Sequence, residues 1–269
     1  MSDGTTAQRA FSGAALAGKV AVISGGSRGI GRAIAVRYAG EGATVVVSAR
    51  NQPGLADVVA AVEGAGGRAI GVVADATDPD GARRPVERAL AELGRLDVLV
   101  NNVGGTVGTG HDPFSVDGHG FEQTLDLCLT SVWWASTAAL PAMREQGRGA
   151  IVSVGSGAAI RASASVAYVA AKHAMVGLTR ALAARVAGAG ITVNMLSPGW
   201  TDTSAVDWDR IAERGGTTPE AAQAAAEADN AQRRVLAPEE LTGMAVLLAS
   251  DEGRGITGQD IHVDGGYRL

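Results

Sequence analysis

The order of apolar runs along this chain predicts an α/β fold: a doubly wound parallel seven-stranded sheet with helices on both faces, in a single domain. Three observations point there. Seven short runs rich in Val, Ile and Ala alternate with helix-like segments. A glycine-rich turn lies between the first run and the first helix. Gly25, Arg50, Asp75, Asn102, Ser156 and Thr203 all fall at or just past the C-terminal ends of expected strands. Open α/β sheets bind ligands at that edge.

Met1 to Leu16 is polar and Ala/Gly-rich, without a compact apolar stretch behind basic residues. It reads as a mobile tail and not a signal peptide, which leaves residues 17–269 for the domain. Lys19-Val-Ala-Val-Ile-Ser24 is the first strand. Gly25-Gly-Ser-Arg-Gly-Ile-Gly31 follows, then an amphipathic helix from about Ile30 to Gly40. Strand, glycine turn and helix is the order that a phosphate cradle needs. Glycines let backbone N–H groups approach a pyrophosphate, and the helix N-terminus adds positive potential. The spacing Gly25-x-x-x-Gly29-x-Gly31 is not Gly-x-Gly-x-x-Gly, and alone it would suit an ordinary βα turn. Its place after the first strand gives it weight.

Thr44-Val-Val-Val-Ser-Ala-Arg50 is the second strand. Its end lies about twenty residues past the glycines, where an NAD-binding fold carries an acid for the ribose 2′-hydroxyl. Ala49 and Arg50 stand there instead. No carboxylate would repel a 2′-phosphate, and Arg50 and Arg28 could hold one, so NADP(H) is expected over NAD(H). Arg68 to Asp75 is the third strand, Asp78 caps a helix running to about Leu93, and Leu96-Asp-Val-Leu-Val-Asn-Asn102 is the fourth strand. A glycine-rich loop spans Gly104 to Gly120, and a long helix with Cys128, Trp133 and Trp134 spans Phe121 to Gln146. Gly149 to Gly155 is the fifth strand, Val166 to about Ala184 a helix, and Ile191 to Leu196 the sixth strand. Thr201 to Arg234 is Ala-rich and irregular, with one or two mobile helices. Pro238 to Ser250 is a helix, and Gln259 to Asp264 the seventh strand.

Composition narrows the function. Of 269 residues 46% are hydrophobic and 19% charged, enough to bury a large core. A net charge of −5 argues against nucleic acid and anionic membrane as partners. No apolar run approaches the roughly 20 residues of a membrane span. The single cysteine has no internal disulfide partner, which suits a cytoplasmic location. His111, His119, His173 and His262 lack metal-ligand spacing, so no metal is expected.

Tyr168 and Lys172 stand four apart on an expected helix, one turn from each other on the same face. The only lysines are Lys19 and Lys172. An ammonium beside a phenol favours the phenolate, which makes the pair an acid/base device. Alone, Tyr-x-x-x-Lys would also fit a surface pair placed by chance; Ser156 at the end of the preceding strand supplies the context.

Taken together, these motifs resemble the short-chain dehydrogenase/reductase family, over roughly Leu16 to Leu269. Ser24-Gly-Gly-Ser-Arg-Gly-Ile-Gly31 is similar to the family's nucleotide loop, Asn101-Asn-Val-Gly104 to its Asn-Asn-Ala-Gly, and Val263-Asp-Gly-Gly266 to its C-terminal signature. The resemblance implies a Rossmann-type fold and hydride transfer between a nicotinamide cofactor and a small carbonyl or alcohol substrate. It puts Ser156, Tyr168 and Lys172 on the catalytic Ser, Tyr and Lys. It implies NADP(H) contacts from Gly25, Ser27, Arg28, Gly29, Ile30, Gly31, Arg50, Asp75, Ala76, Asn102, Tyr168 and Lys172. Pro198, Gly199, Thr201 and Thr203 fall in the segment that holds the nicotinamide carboxamide. The likeness extends to 3-oxoacyl-thioester reductases and polyketide ketoreductases, and it implies a homotetramer packed through the helices bearing Trp133-Trp134 and Val176 to Val186.

One departure concerns proton relay. The family often adds an Asn to the catalytic set, and Cys128 takes its place within Cys128-Leu-Thr-Ser-Val132. A thiol donates and accepts more weakly than an amide. It leaves room for a second reading, a non-catalytic NADP(H)-binding sensor or scaffold on the same fold, which the intact Ser156, Tyr168 and Lys172 oppose. A third is a reductase of carrier-bound acyl chains, docking through Arg144, Arg148, Arg180 and Arg185. Trp200, Trp208 and Phe114 suggest an apolar wall for the substrate, though a Trp there would equally suit packing of the lid.

Overall fold

The structure is a computed structural model that describes residues 14–108, 119–162, 165–204 and 206–269. The expected tail over residues 1–13, and residues 109–118 with His111 and Phe114, lie outside the described residues. The strands are β1 (Val20–Ser24), β2 (Thr44–Ala49), β3 (Arg68–Val73), β4 (Val98–Asn101), β5 (Gly149–Val154), β6 (Ile191–Pro198) and β7 (Asp260–Val263). They form one sheet in the order β3-β2-β1-β4-β5-β6-β7. Every adjacent pair is parallel. The helices are α1 (Gly29–Gly40), α2 (Gln52–Gly64), α3 (Pro79–Leu93), α4 (His119–Leu125), α5 (Ser131–Gln146), α6 (Val166–Val186), α7 (Trp208–Gly215), α8 (Pro219–Asp229) and α9 (Thr242–Ala249).

The central strands are apolar at most positions because both faces are covered. Successive residues point to opposite faces. Ala21 and Ile23 of β1, with Val45, Val47, Val98, Val100 and Val152, pack under α1, α2 and α9. Val20 and Val22, with Val46, Leu99, Ile151 and Val193, pack under α3, α5 and α6. Each fully buried Val or Ile contributes about 1.5–3 kcal/mol by leaving water. Tyr38 crosses the first layer, fully buried, and its hydroxyl donates to the Ala245 carbonyl at 2.8 Å. Burial holds that phenol far above its ordinary pKa, so it stays neutral.

Several boundaries differ from the sequence expectation. The expected tail includes Leu16, but this residue is fully buried and its N–H donates to the Glu41 carbonyl at 3.0 Å, so residues 14–16 join the fold. The stretch between Arg50 and Arg68, for which no element is expected, forms α2. Asn51 caps it by accepting from the Gly54 N–H, and Leu55, Val58 and Val62 bury one face. The expected helix from Phe121 to Gln146 is interrupted by a π-helical turn, Asp126–Thr130. There the Thr130 and Ser131 hydroxyls donate to the carbonyls of Asp126 and Leu127, four residues back, and compete with the helical ladder. β3 stops at Val73, short of Asp75, while β6 runs on to Pro198. Thr201 to Arg234 contains two defined helices, α7 and α8. Pro238 to Ser250 divides into a 3₁₀ turn, Pro238–Leu241, followed by α9.

Asp97, just ahead of β4, joins two strands. It is buried, accepts from the Val20 N–H at 2.9 Å, and receives Arg95 Nε at 2.8 Å and Nη2 at 2.6 Å. Asp97→Ala is expected to lower unfolding free energy by about 2–4 kcal/mol, because it leaves a buried donor and an arginine without their acceptor. A urea titration measures this, and a loss below about 0.5 kcal/mol would class the contact with ordinary surface ion pairs.

Candidate active site

The sheet order places β1 beside both β2 and β4, so the chain leaves it in opposite directions at the β1/β4 edge. The glycine turn lies there. Asn102 fastens it: Nδ2 donates to the carbonyls of Ser24 at 3.1 Å and Gly25 at 2.9 Å. The Asn102 N–H donates to Ser24 Oγ at 3.1 Å. Gly31 makes this crossing possible, since a methyl on it would lie 2.4 Å from Asn102 Nδ2. Gly29 has φ +53, and Thr203 lies directly over it, at 3.1 Å from where a methyl would be. Ser27 packs on Gly54 of α2, and Ile30 packs against the core.

Helix α1 starts without a capping side chain. Arg28 is its N-cap in extended conformation, and no acid occupies the first turn. Its first N–H groups therefore remain for an anion. Arg28 and Arg50 are exposed, and among the described residues neither side chain has a hydrogen-bond or ion-pair partner. Asp75 follows β3, and its Oδ1 accepts from the Thr77 N–H at 3.0 Å and Oγ1 at 2.8 Å. Partial burial raises its pKa, but the two Thr77 bonds and the Arg50 charge outweigh that and leave it lowered. Ala76 is half-buried beside it. Uncapped amides, two arginines without a bonded partner and a glycine-lined turn fit a dinucleotide with an added phosphate.

Ser156 ends the β5 segment and accepts from the Ala158 N–H at 3.1 Å, starting a 3₁₀ turn, Gly157–Ala159, that packs on α6. Ser165 caps α6 by accepting from the Tyr168 N–H at 3.3 Å. The helix then carries half-buried Tyr168 and, one turn on, Lys172, which is only 2% exposed. Lys172 Nζ donates to the Val154 carbonyl at 2.8 Å and lies 5.5 Å from the Tyr168 ring centroid. The space above Gly104 is bounded by Lys172 Nζ at 3.3 Å and Cys128 Sγ at 3.7 Å. Cys128 is in the π-helical turn, fully buried, and its thiol is paired with the Gly105 backbone. Sγ accepts from the N–H and donates to the carbonyl, each at 3.3 Å.

Pro198 closes β6. Gly199 lies against the Asp264 backbone, Thr201 pairs with Leu236, and its Oγ1 donates to the Gly199 carbonyl at 3.1 Å. The Trp200 and Trp208 rings pack on each other with centroids 5.7 Å apart, and Trp200 Nε1 donates to Asp229 Oδ2 at 3.2 Å, contacts that join this segment to α7 and α8. The site residues read from the sequence thus share one edge of the sheet. Other contacts of the site were not foreseen from the sequence: the Asn102 crossing, the Ser165 cap, whose Ser at helix start was a usable signal, and the contacts of Asp229 and Arg268. Among the described residues no cluster could hold a metal ion, and no helix is long and apolar enough to cross a membrane.

Residues 25–268 match the family described as Enoyl-(Acyl carrier protein) reductase. The short-chain reductase protein NovJ of Streptomyces niveus is 36% identical over 247 residues, covering 92% of this chain and 93% of that protein. The 3-oxoacyl-[acyl-carrier-protein] reductase FabG of Escherichia coli K12 is 34% identical over 253 residues, covering 94% and 98%. Among solved structures, a protein from Beutenbergia cavernae assigned as an NAD(P)-dependent gluconate 5-dehydrogenase carries NADP at low occupancy. It aligns with TM-score 0.83 and 38% identity, over 93% of this chain and 97% of that one. The chain belongs to the short-chain dehydrogenase/reductase family. It is an oxidoreductase of a family that works with a nicotinamide cofactor.

The double contact to Gly105 gives Cys128 a packing duty that does not require reactivity. Cys128→Ala is expected to reduce stability by about 1 kcal/mol. Cys128→Asn, which restores an amide, is expected to keep or raise turnover of a confirmed ketone. A Cys128→Asn variant that folds and binds NADPH yet turns over nothing would show that the thiol itself is required.

Proposed function

We propose that the chain is an NADP(H)-dependent ketoreductase, interconverting a ketone and a secondary alcohol on a small or acyl-type substrate. The observation that carries this reading is the buried Lys172 ammonium, one helical turn from Tyr168 and bonded to the end of the strand that leads to Ser156. A cation is unfavourable in so dry a position, and its stabilisation of a developing phenolate gives it a use.

The nicotinamide cofactor, when bound, supplies or accepts the hydride at the carbonyl carbon. Ser156 Oγ donates a hydrogen bond to the substrate oxygen, where negative charge grows during reduction. Tyr168 Oη passes its proton to that oxygen, and Lys172 stabilises the phenolate left behind. In oxidation Tyr168 takes the proton from the alcohol. Gly25, Ser27, Gly29, Ile30 and Gly31 with the N-terminus of α1 hold the pyrophosphate. Arg28 and Arg50 take the 2′-phosphate, and Asp75 and Ala76 meet the adenine. Asn102 braces the cradle, Tyr168 and Lys172 hold the nicotinamide ribose, and Pro198, Gly199, Thr201 and Thr203 hold the carboxamide. The NADP in the Beutenbergia cavernae neighbour supports the cofactor choice.

Substrate selection falls to Gly104 to Gly120, of which residues 109–118 lie outside the described residues, and to Thr203 to Arg234. Docking of a carrier-borne substrate has less support, since Arg148 leans toward Asp97, with Nε at 3.6 Å from its carboxylate. The assembly is a homotetramer of cytoplasmic location, and Trp133, 41% exposed on α5, provides apolar surface for a two-fold contact.

Two measurements test this reading. Arg50→Ala should weaken NADPH by about 1.5–3 kcal/mol and NADH far less; equal wild-type affinities for the two cofactors would sink the NADP(H) assignment. Tyr168→Phe should leave NADPH binding nearly intact and abolish ketone reduction, whereas substantial residual turnover would remove Tyr168 as the acid.

A further inference from the structure

The end of the chain reaches two separate segments that flank the site. Arg268 Nη2 donates to Asp229 Oδ2 at 2.9 Å, and its backbone N–H donates to the Asp229 carbonyl at 2.8 Å. Asp229 is the last residue of α8. On its other side, Arg268 Nη1 donates to the Ala162 carbonyl at 3.1 Å. The Arg268 carbonyl accepts from Arg161 Nε at 3.1 Å and Nη2 at 2.8 Å. Arg161 and Ala162 belong to the loop between Ser156 and Tyr168. The neighbouring Tyr267 ring lies on Gly157, the residue after Ser156, and pairs with the Arg268 guanidinium at 5.1 Å.

Asp229 also holds the entry to the two-helix segment. The same Oδ2 accepts from Trp200 Nε1 at 3.2 Å, and the Trp200 ring packs on Trp208, the first residue of α7. One carboxylate thus ties the start of α7 to the end of α8. The backbone is strained here as well. Among the described residues the only non-glycine residues with positive φ are Arg268 (48°), at the centre of these bonds, and Arg233 (56°), four residues past Asp229. A left-handed conformation in a bulky residue persists only where its surroundings enforce it.

We infer that Asp229 and Arg268 form a latch that sets the position of the α7–α8 lid relative to the loop carrying Ser156, making them positioning residues for substrate. The inference rests on the roles given above to Ser156 and Tyr168. The Asp229 carboxylate holds the Arg268 guanidinium, and that guanidinium and the Arg268 carbonyl in turn hold Ala162 and Arg161, so a shift of either segment pulls on the other. A substrate that moves the lid also moves the loop beside the reacting oxygen.

Hydrogen exchange by mass spectrometry on the full chain reads the latch without any substrate. In Arg268→Gln, residues 157–162 and 206–229 should both exchange about tenfold faster, with β1, β4 and β5 unchanged. Faster exchange at 265–269 alone, or in the lid alone, would overturn the coupling. Arg161→Gln should give the same paired change and serves if Arg268→Gln does not fold. Asp229→Asn combined with Arg268→Gln should do less than the sum of the two single changes, because they remove one bond in common; fully additive effects would overturn a shared bond. With NADPH and ethyl acetoacetate or 1-tetralone, whichever the wild type reduces, the Arg268→Gln change should raise KM and lower kcat several-fold while NADPH affinity stays within about twofold. Paired exchange changes with unaltered KM and kcat would overturn the positioning role. A wild type that reduces no ketone counts against the ketoreductase reading, and the exchange data still decide the latch.

Discussion

A charged ammonium at the bottom of a fold needs a strong reason to be there, because removal from water is unfavourable by several kcal/mol before any partner is found. Lys172 meets that demand with the carbonyl of Val154 and the face of Tyr168. Much of the local structure follows from keeping it there. Ala167, Ala171 and Met175 bury the inner face of α6, so that the helix lies close enough for Nζ to reach the end of β5. Ser165 fixes where that helix begins, and with it the register of Tyr168 and Lys172. Gly104 leaves the space that Nζ faces, and Cys128 holds the following residue back.

The second constraint is the parallel sheet itself. All seven strands run the same way, so their carbonyl ends gather on one edge, and chain segments far apart in sequence meet there. The crossing of Asn102 over Ser24 and Gly25 joins the strand on one side of the reversal to the turn on the other. The glycine turn and the Tyr168–Lys172 pair are then neighbours by construction. Their surroundings differ: the first presents uncapped backbone N–H groups and exposed arginines, the second a buried lysine beside a half-buried tyrosine.

The strands were legible because a parallel strand covered on both faces is near-continuously apolar, with no polar alternation to obscure it. Thr44–Ala49 and Gly149–Val154 read directly for that reason. The glycine turn and the Tyr168–Lys172 spacing were legible because each is local. Helix α2 carried its signals, an Asn51 cap and Leu55, Val58 and Val62 on one face, but low hydrophobic contrast beside so many alanines let it pass unread. The π-helical turn was hidden, since one inserted residue within a long helical run leaves no change in composition. Asp229 and Arg268 were beyond reach for another reason. They are 39 residues apart, and no spacing rule relates the end of a lid helix to a C-terminal segment.

Tyr38 and Lys19 give the fold a temporal property. The Tyr38 hydroxyl bonds to Ala245, 207 residues later, and the Lys19 ammonium bonds to Ala249, 230 residues later. The layer that α1 and α2 begin to cover is therefore completed by α9, whose Ala245 lies 207 residues after Tyr38. During synthesis the ribosome delivers α1 and β5 before α9, the third helix of that layer, exists. Until α9 emerges, the apolar surface that it covers on α1 and β5 stays open, which makes its docking the closing step of this layer and the period before it a time of exposure to aggregation and to chaperones.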